Sequence, residues 1–290
     1  MGLKGGGNIL QKYRTRTGDL LYYHYFRADS QNVMILLHGI TEANQYLHPL
    51  AEFVAKENLA HVYTPDLRGY GPHAQKRGDL DYIGQLDDDL MDLIKHIKEL
   101  HPQPNIIVAG HSAGGGTTLR MAASKYRHEV DRYLLLAPFI HPLAPTVSRN
   151  NPNSSGNVNV RRIILLHILN GLRIRLFNHS IVYRSKKAIE NPQENETQEL
   201  SYRLFTSRFP EDYVAALQAI DKPTLVLVGD EDKEFDSTQY EPLFSKYTNA
   251  QTKLIPGADH NSILSAPATF ASVKEWLTEE NAPSNAATMN

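Results

Sequence analysis

The sequence predicts an α/β protein: a mostly parallel sheet with helices on both faces and a helical insertion. Three observations carry this expectation. Short apolar runs alternate with longer stretches of helical period, the loops between them are short, and the alternation stops over one internal segment.

In chain order, the aromatic-rich run Leu20–Phe26 (LLYYHYF) predicts the first strand. Residues 33–37 (VMILL) are apolar throughout, as a strand covered on both faces must be, and end in His38-Gly39. Further strands are expected at 61–64, leading into Pro65-Asp66, and at 105–109, 132–137, 224–228 and 252–255. Helices are expected at 46–57, Gln85–Leu100, 117–126 and 267–278. In the second of these, Leu86, Leu90, Leu93, Ile94 and Ile97 recur at helical spacing, and carboxylates crowd the first turn, where the helix dipole favours them. Strand–helix–strand units of this kind take right-handed crossovers. Between Phe139 and Asp221 no convincing strand is visible. The expected organisation is a core of residues 1–138 and 221–280, a helical cap insertion at 139–220, and a loose polar tail at 281–290.

Composition narrows the class. The 290 residues carry 30 Lys+Arg against 32 Asp+Glu, a net charge of −2, which argues against a protein built to coat nucleic acid or an anionic membrane along its whole surface. Apolar residues at 41% and charged residues at 21% suit a globular chain. With no cysteine, disulfide scaffolds, zinc–thiolate sites, iron–sulfur clusters and thiol nucleophiles are excluded. No run reaches the roughly 18 apolar residues of a membrane span. The glycine-rich start lacks the apolar core of a secretion signal, so a cytoplasmic location is expected. No phosphate-cradling loop appears, and neither a cofactor nor a metal is expected.

The sharpest local signal is Gly110-His111-Ser112-Ala113-Gly114, preceded by an apolar strand and followed by a helix. Such an abrupt turn forces strained backbone angles on the serine and requires small residues two positions to either side. It lifts the hydroxyl above the sheet, beside the N–H of Ala113 at a helix N-terminus. A serine hydroxyl needs a base, and the base a carboxylate. Both are available downstream: Gly229-Asp230-Glu231-Asp232 follows one predicted strand, and Gly257-Ala258-Asp259-His260 follows another. All three groups sit beyond the C-terminal ends of strands, where open parallel sheets bind ligands.

With His38-Gly39-Ile40 and Asp66-Leu67-Arg68-Gly69-Tyr70-Gly71, these motifs resemble the α/β-hydrolase superfamily over residues 10 to 280, in particular its branch of carboxylesterases, monoacylglycerol lipases and lysophospholipases. The resemblance implies Ser112 as nucleophile, His260 as general base and Asp232 as the acid, with Asp230 as the competing choice. It implies an oxyanion hole from the backbone N–H groups of Ile40 and Ala113. The expected activity is hydrolysis of acyl or lipid-like carboxylic esters through an acyl-enzyme. The alternatives are thioesterase, peptidase or acyltransferase chemistry on the same triad, or a non-catalytic receptor for a hydrophobic ligand. Dehalogenases and epoxide hydrolases of this fold carry aspartate where Ser112 stands.

Nearby polar residues have simpler expected roles. His38 braces the loop that aims the Ile40 amide, His111 is structural, Asp66 and Arg68 hold the loop that follows them, and Asp87-Asp88-Asp89 is a solvated helix start rather than a metal site. Between His141 and Ile189 lie eight basic residues and no acidic one, among many Ile and Leu. Such a segment suggests either contact with an anionic lipid surface or apolar packing onto the core with solvated arginines.

Overall fold

The computed structural model describes residues 8–41, 43–148, 151, 154–186 and 196–279. The glycine-rich start, Arg149 and Lys187 of the basic segment, and the tail 281–290 lie outside the described residues.

Eight strands form one sheet: β1 (Ile9–Arg14), β2 (Leu20–Phe26), β3 (Asn32–Leu37), β4 (His61–Pro65), β5 (Asn105–His111), β6 (Arg132–Leu136), β10 (Thr224–Gly229) and β11 (Gln251–Ile255). Their spatial order is β1-β2-β4-β3-β5-β6-β10-β11. The pairs β1/β2 and β2/β4 are antiparallel and all others parallel. Alternate side chains of the central strands feed two separate layers. Val33, Ile35 and Leu37 join Ile106 and Val108 under α2 (Gln85–Leu100), whose Leu90, Leu93, Ile94 and Ile97 face them. Met34, Leu36, Ile107 and Ala109 face the other way, toward α1 (His48–Lys56) and α8 (Pro267–Glu279) through Leu50, Val54, Trp276 and Leu277. Burial on both faces explains why these strands read as continuous apolar runs. The remaining sheet helices are α3 (Ala113–Ala122) and α7 (Tyr240–Tyr247).

The expectation of a purely helical insertion needs correction. Between β6 and β10 lie α4 (Val160–Gly171), α5 (Tyr202–Thr206) and α6 (Tyr213–Gln218), but also a three-stranded antiparallel sheet, β7 (Gly156–Val158), β8 (Ile181–Ser185) and β9 (Glu199–Ser201). The outer strands have three residues each, too few to register a period of two. Within the apolar–basic run, the helix ends at Gly171, and Arg173 beyond it takes φ 64°. β8 then buries Val182 and Tyr183. The insertion rests on the loops after β3 and β4. Thr197 Oγ1 donates to Gly69 O (3.1 Å), Ser201 N to Gly78 O (2.8 Å), and Arg203 Nε to Asp79 (2.7 Å).

Candidate active site

At the junction of β5 and α3, Ser112 takes φ 54° and ψ −121°, a backbone state that costs a residue with a side chain on the order of 1–3 kcal/mol. The surroundings hold it there. Its N–H donates to Leu136 O (3.0 Å), and its carbonyl accepts from Gly115 (2.9 Å) and Phe139 (2.8 Å). The flanking glycines are sterically required: a Cβ on Gly110 would overlap the Gly114 backbone, and one on Gly114 the Leu37 carbonyl. Among the described residues, the N–H groups of Ala113, the first residue of α3, and of Ile40, on the loop after β3, donate to no protein acceptor.

The loops after β10 and β11 bring Asp232 and His260 together. His260 Nδ1 lies 2.8 Å from Asp232 Oδ2, and the Asp232 carboxylate has no exposed surface. The other carboxylate oxygen, Oδ1, accepts the N–H groups of Glu234 (2.8 Å) and Phe235 (3.0 Å). Asp230, the competing acid, is exposed and instead accepts the Gly257 N–H (2.8 Å). The two candidates therefore differ in kind: one orients an imidazole, the other staples a turn. Among the described residues the Ser112 hydroxyl makes no hydrogen bond, so the serine–histidine link is open in this structure.

His111 ties the serine to the histidine loop. Its Nε2 is 2.7 Å from His260 O, which only accepts, so the proton sits on Nε2 and Nδ1 accepts from the Tyr46 hydroxyl (3.0 Å). Tyr46 in turn receives the Gly39 N–H (2.6 Å). The rings of His111 and His260 are 4.8 Å apart. His38 braces the neighbouring loop: Nε2 accepts the Leu67 N–H (3.2 Å) and Nδ1 donates to Gly39 O (2.9 Å).

Burial pushes both His38 and His111 down to about 3. The folded protein thus keeps them neutral through the range in which the unfolded chain protonates its histidines, near 6.5. Their stabilising contribution is present above that value and is lost as pH falls, by about 1 kcal/mol each between pH 6.5 and 5.5. Asp87, pushed up to about 6 by burial, acts in the opposite direction, so the comparison is best made within one residue. In urea unfolding, His111→Gln is expected to shrink the loss over that interval by about 1 kcal/mol. An unchanged pH dependence would contradict the assignment.

The acidic helix start is not solvated as expected. Asp87 pairs with Arg120 (2.9 Å), Asp88 with Arg16 (2.9 Å) and Asp89 with Arg68 (2.7 Å), the three carboxylates being 12%, 18% and 6% exposed. Arg68 bonds Asp89 through two nitrogens and reaches Asp19 as well, so it fastens its loop to α2 and to the start of β2. Asp66 accepts from Asn44 Nδ2 (2.5 Å). A cavity of about 220 Å³ lies along this side, lined by Tyr22, Asp66, Arg68, His73 and Asp79 among others, and none of Ser112, Asp232 and His260 reaches it. Among the described residues no group of three His, Asp or Glu could hold a metal ion. Nor, among them, is any helix long and apolar enough to cross a membrane.

Sequence reasoning missed Tyr46 and the aromatic row that leaves His260. Phe235 meets the His260 ring edge-on at 5.1 Å, Phe139 lies 5.9 Å from Phe235, and Phe209 lies 5.6 Å from Phe139. These residues come from three separate segments, so no local pattern marks them. Arg208 was also missed, because nothing in Tyr202-Arg203-Leu204-Phe205-Thr206-Ser207-Arg208-Phe209 distinguishes it from Arg203.

A parallel sheet with antiparallel strands at one edge, a strained serine after its fifth strand and an acid–histidine pair on later loops define an α/β-hydrolase. The family model described as serine aminopeptidase, S33, matches residues 28–265, and the chain belongs to that family. It is 33% identical over 115 residues to a monoacylglycerol lipase of Mycolicibacterium smegmatis, a match taking in 39% of this chain and 40% of that protein's length. Among solved structures it is similar to DcsB in complex with its substrate analogue (TM-score 0.70, 17% identity, 96% of this chain and 100% of that one). It is similar also to the monoacylglycerol lipase of Paleococcus ferrophilus (TM-score 0.64, 19% identity, 89% of this chain and 98% of that one).

Proposed function

We propose that this chain is a serine hydrolase of carboxylic esters, with Ser112 as nucleophile, His260 as general base and Asp232 as the group that orients the base. The observation that carries the reading is the 2.8 Å contact between His260 Nδ1 and the enclosed Asp232 carboxylate, on a loop bonded to the residue beside Ser112. With Nδ1 donating to Asp232, Nε2 is free to take the serine proton. Ser112 Oγ attacks the ester carbonyl, and the oxygen that becomes negative is received by the Ile40 and Ala113 N–H groups. The tetrahedral centre collapses, the alcohol leaves with the proton from His260, and the acyl group stays on Ser112. Water then loses a proton to His260, attacks the acyl-enzyme and releases the acid. The serine–histidine bond, open at rest, closes when substrate arrives.

Residues 139–220 act as a cap on this site, and the row Phe235, Phe139 and Phe209 suits an acyl chain or aryl group. The likeness to a monoacylglycerol lipase supports a lipid-like ester. A panel of p-nitrophenyl esters of rising acyl length, a monoacylglycerol, a lysophospholipid and an amino-acid p-nitroanilide tests the reading. Turnover of the esters, with the anilide left intact, is the expected result. Hydrolysis of the anilide alone would replace the reading by a peptidase, and binding of an apolar ligand without turnover by a receptor.

The partner proposed for the cap is an anionic lipid surface. On and after α4, Ile164, Leu165, Ile168, Leu172, Leu176 and Phe177 are exposed beside exposed Arg161, Arg162, Arg173 and Arg175, with no acidic residue between 141 and 189. Sedimentation with phosphatidylglycerol vesicles but not with phosphatidylcholine vesicles, weakened by salt, is expected. No binding to either would overturn this part.

A further inference from the structure

Arg208, in the turn after α5, has no exposed surface, and among the described residues no carboxylate pairs with it. A buried guanidinium without a counter-ion is costly, and an apolar side chain of similar length would fill the space more cheaply. Its hydrogen bonds are specific. Nη2 donates to the carbonyls of His38 (2.5 Å) and Gly39 (2.9 Å), while among the described residues Nε and Nη1 have no partner. The guanidinium also lies over the Tyr70 ring, 5.2 Å from its centroid.

The Gly39 carbonyl and the Ile40 N–H belong to one peptide group. That carbonyl receives two donors, Arg208 Nη2 and His38 Nδ1. In a planar trans peptide the N–H points opposite to the carbonyl, so fixing one end aims the other. Donors on the oxygen also polarise the amide and strengthen its N–H as a donor. A carboxylate beside Arg208 would cancel its charge; without one, the positive potential stays beside the loop where negative charge develops.

We propose that Arg208 is a positioning residue for the oxyanion hole, holding and polarising the Gly39–Ile40 peptide so that its N–H receives the developing oxyanion. The inference rests on the serine hydrolase reading above. It concerns transition-state stabilisation alone and predicts no role in holding the ground-state substrate.

The test compares wild type with Arg208→Met and Arg208→Lys on a p-nitrophenyl ester and on an aryl trifluoromethyl ketone, which binds serine as a tetrahedral adduct. Removing a direct oxyanion donor costs about 10²–10³ in kcat, so loss of an indirect support should cost Arg208→Met about tenfold to a hundredfold. KM should stay within about threefold, and ketone affinity should fall in proportion to kcat. Arg208→Lys, which keeps the charge but not the fork, should recover part of both. A folded Arg208→Met with kcat within about twofold of wild type, or with ketone affinity unmoved while kcat falls, overturns the proposal. If the methionine variant does not fold, Arg208→Lys decides: joint loss of kcat and ketone affinity supports the proposal, and unchanged values overturn it. A wild type that turns over no ester overturns the hydrolase reading itself, whereas an active wild type with unmoved variants overturns only the role of Arg208.

Discussion

Replacing Ser112 by alanine is expected to lower kcat for ester hydrolysis by about a millionfold while the protein remains folded. The size of the loss follows from the proposed division of labour: without the hydroxyl no acyl-enzyme forms, and the base and the two N–H donors are left with only water to activate. The same residue yields a stability readout. Ser112 sits at φ 54°, which alanine tolerates no better, whereas glycine adopts it freely. Ser112→Gly should therefore be as inactive as the alanine variant but more resistant to urea, by about 1 kcal/mol. Strain that disappears along with activity is strain kept for the nucleophile's position. A Ser112→Ala protein with substantial esterase activity would remove the hydroxyl from the mechanism.

The second large effect separates two acids that are two positions apart. Asp232→Asn is expected to lower kcat by about 10⁴-fold, and Asp230→Asn to change it by less than about threefold. The direction comes from the hydrogen bonds. Asp232 Oδ1 accepts two backbone N–H groups, so an asparagine must keep its oxygen there and turn its NH₂ toward His260 Nδ1. That ring nitrogen must then accept, the proton moves to Nε2, and the histidine can no longer take a proton from serine. Among the described residues the Asp230 carboxylate holds only the Gly257 N–H at an exposed turn, a bond an asparagine oxygen can still accept. Kinetics of the two variants on one ester check the assignment, and equal losses would contradict it.

What could be read from the sequence divides along physical lines. β3 and β10 are buried at every residue, so hydrophobicity alone marks them, and the elbow is marked because its steric demands dictate residue types. The loop carrying Asp232 was legible because it follows β10, whereas the one carrying His260 follows β11, which buries only Ile255, and was marked by Gly257-Ala258-Asp259-His260 itself. β1 was not: Ile9–Arg14 is an edge strand with mostly exposed side chains and no apolar run. α7 was missed because its eight residues bury only Tyr240, Leu243 and Phe244. The small sheet in the insertion depends on pairings between residues 156–158, 181–185 and 199–201, which no local window contains. Asp87, Asp88 and Asp89 looked like a solvated helix start because their arginine partners lie 33, 72 and 21 residues away. Tyr46 and Arg208 owe their interest to the backbone groups they bond, which only the folded chain brings near.

The most direct measurement is mass-spectrometric mapping of the protein after treatment with a fluorophosphonate. A single phosphonyl group is expected on the peptide containing Ser112, with labelling suppressed by His260→Ala. Labelling of another residue, or unlabelled Ser112 in a folded protein, would contradict it.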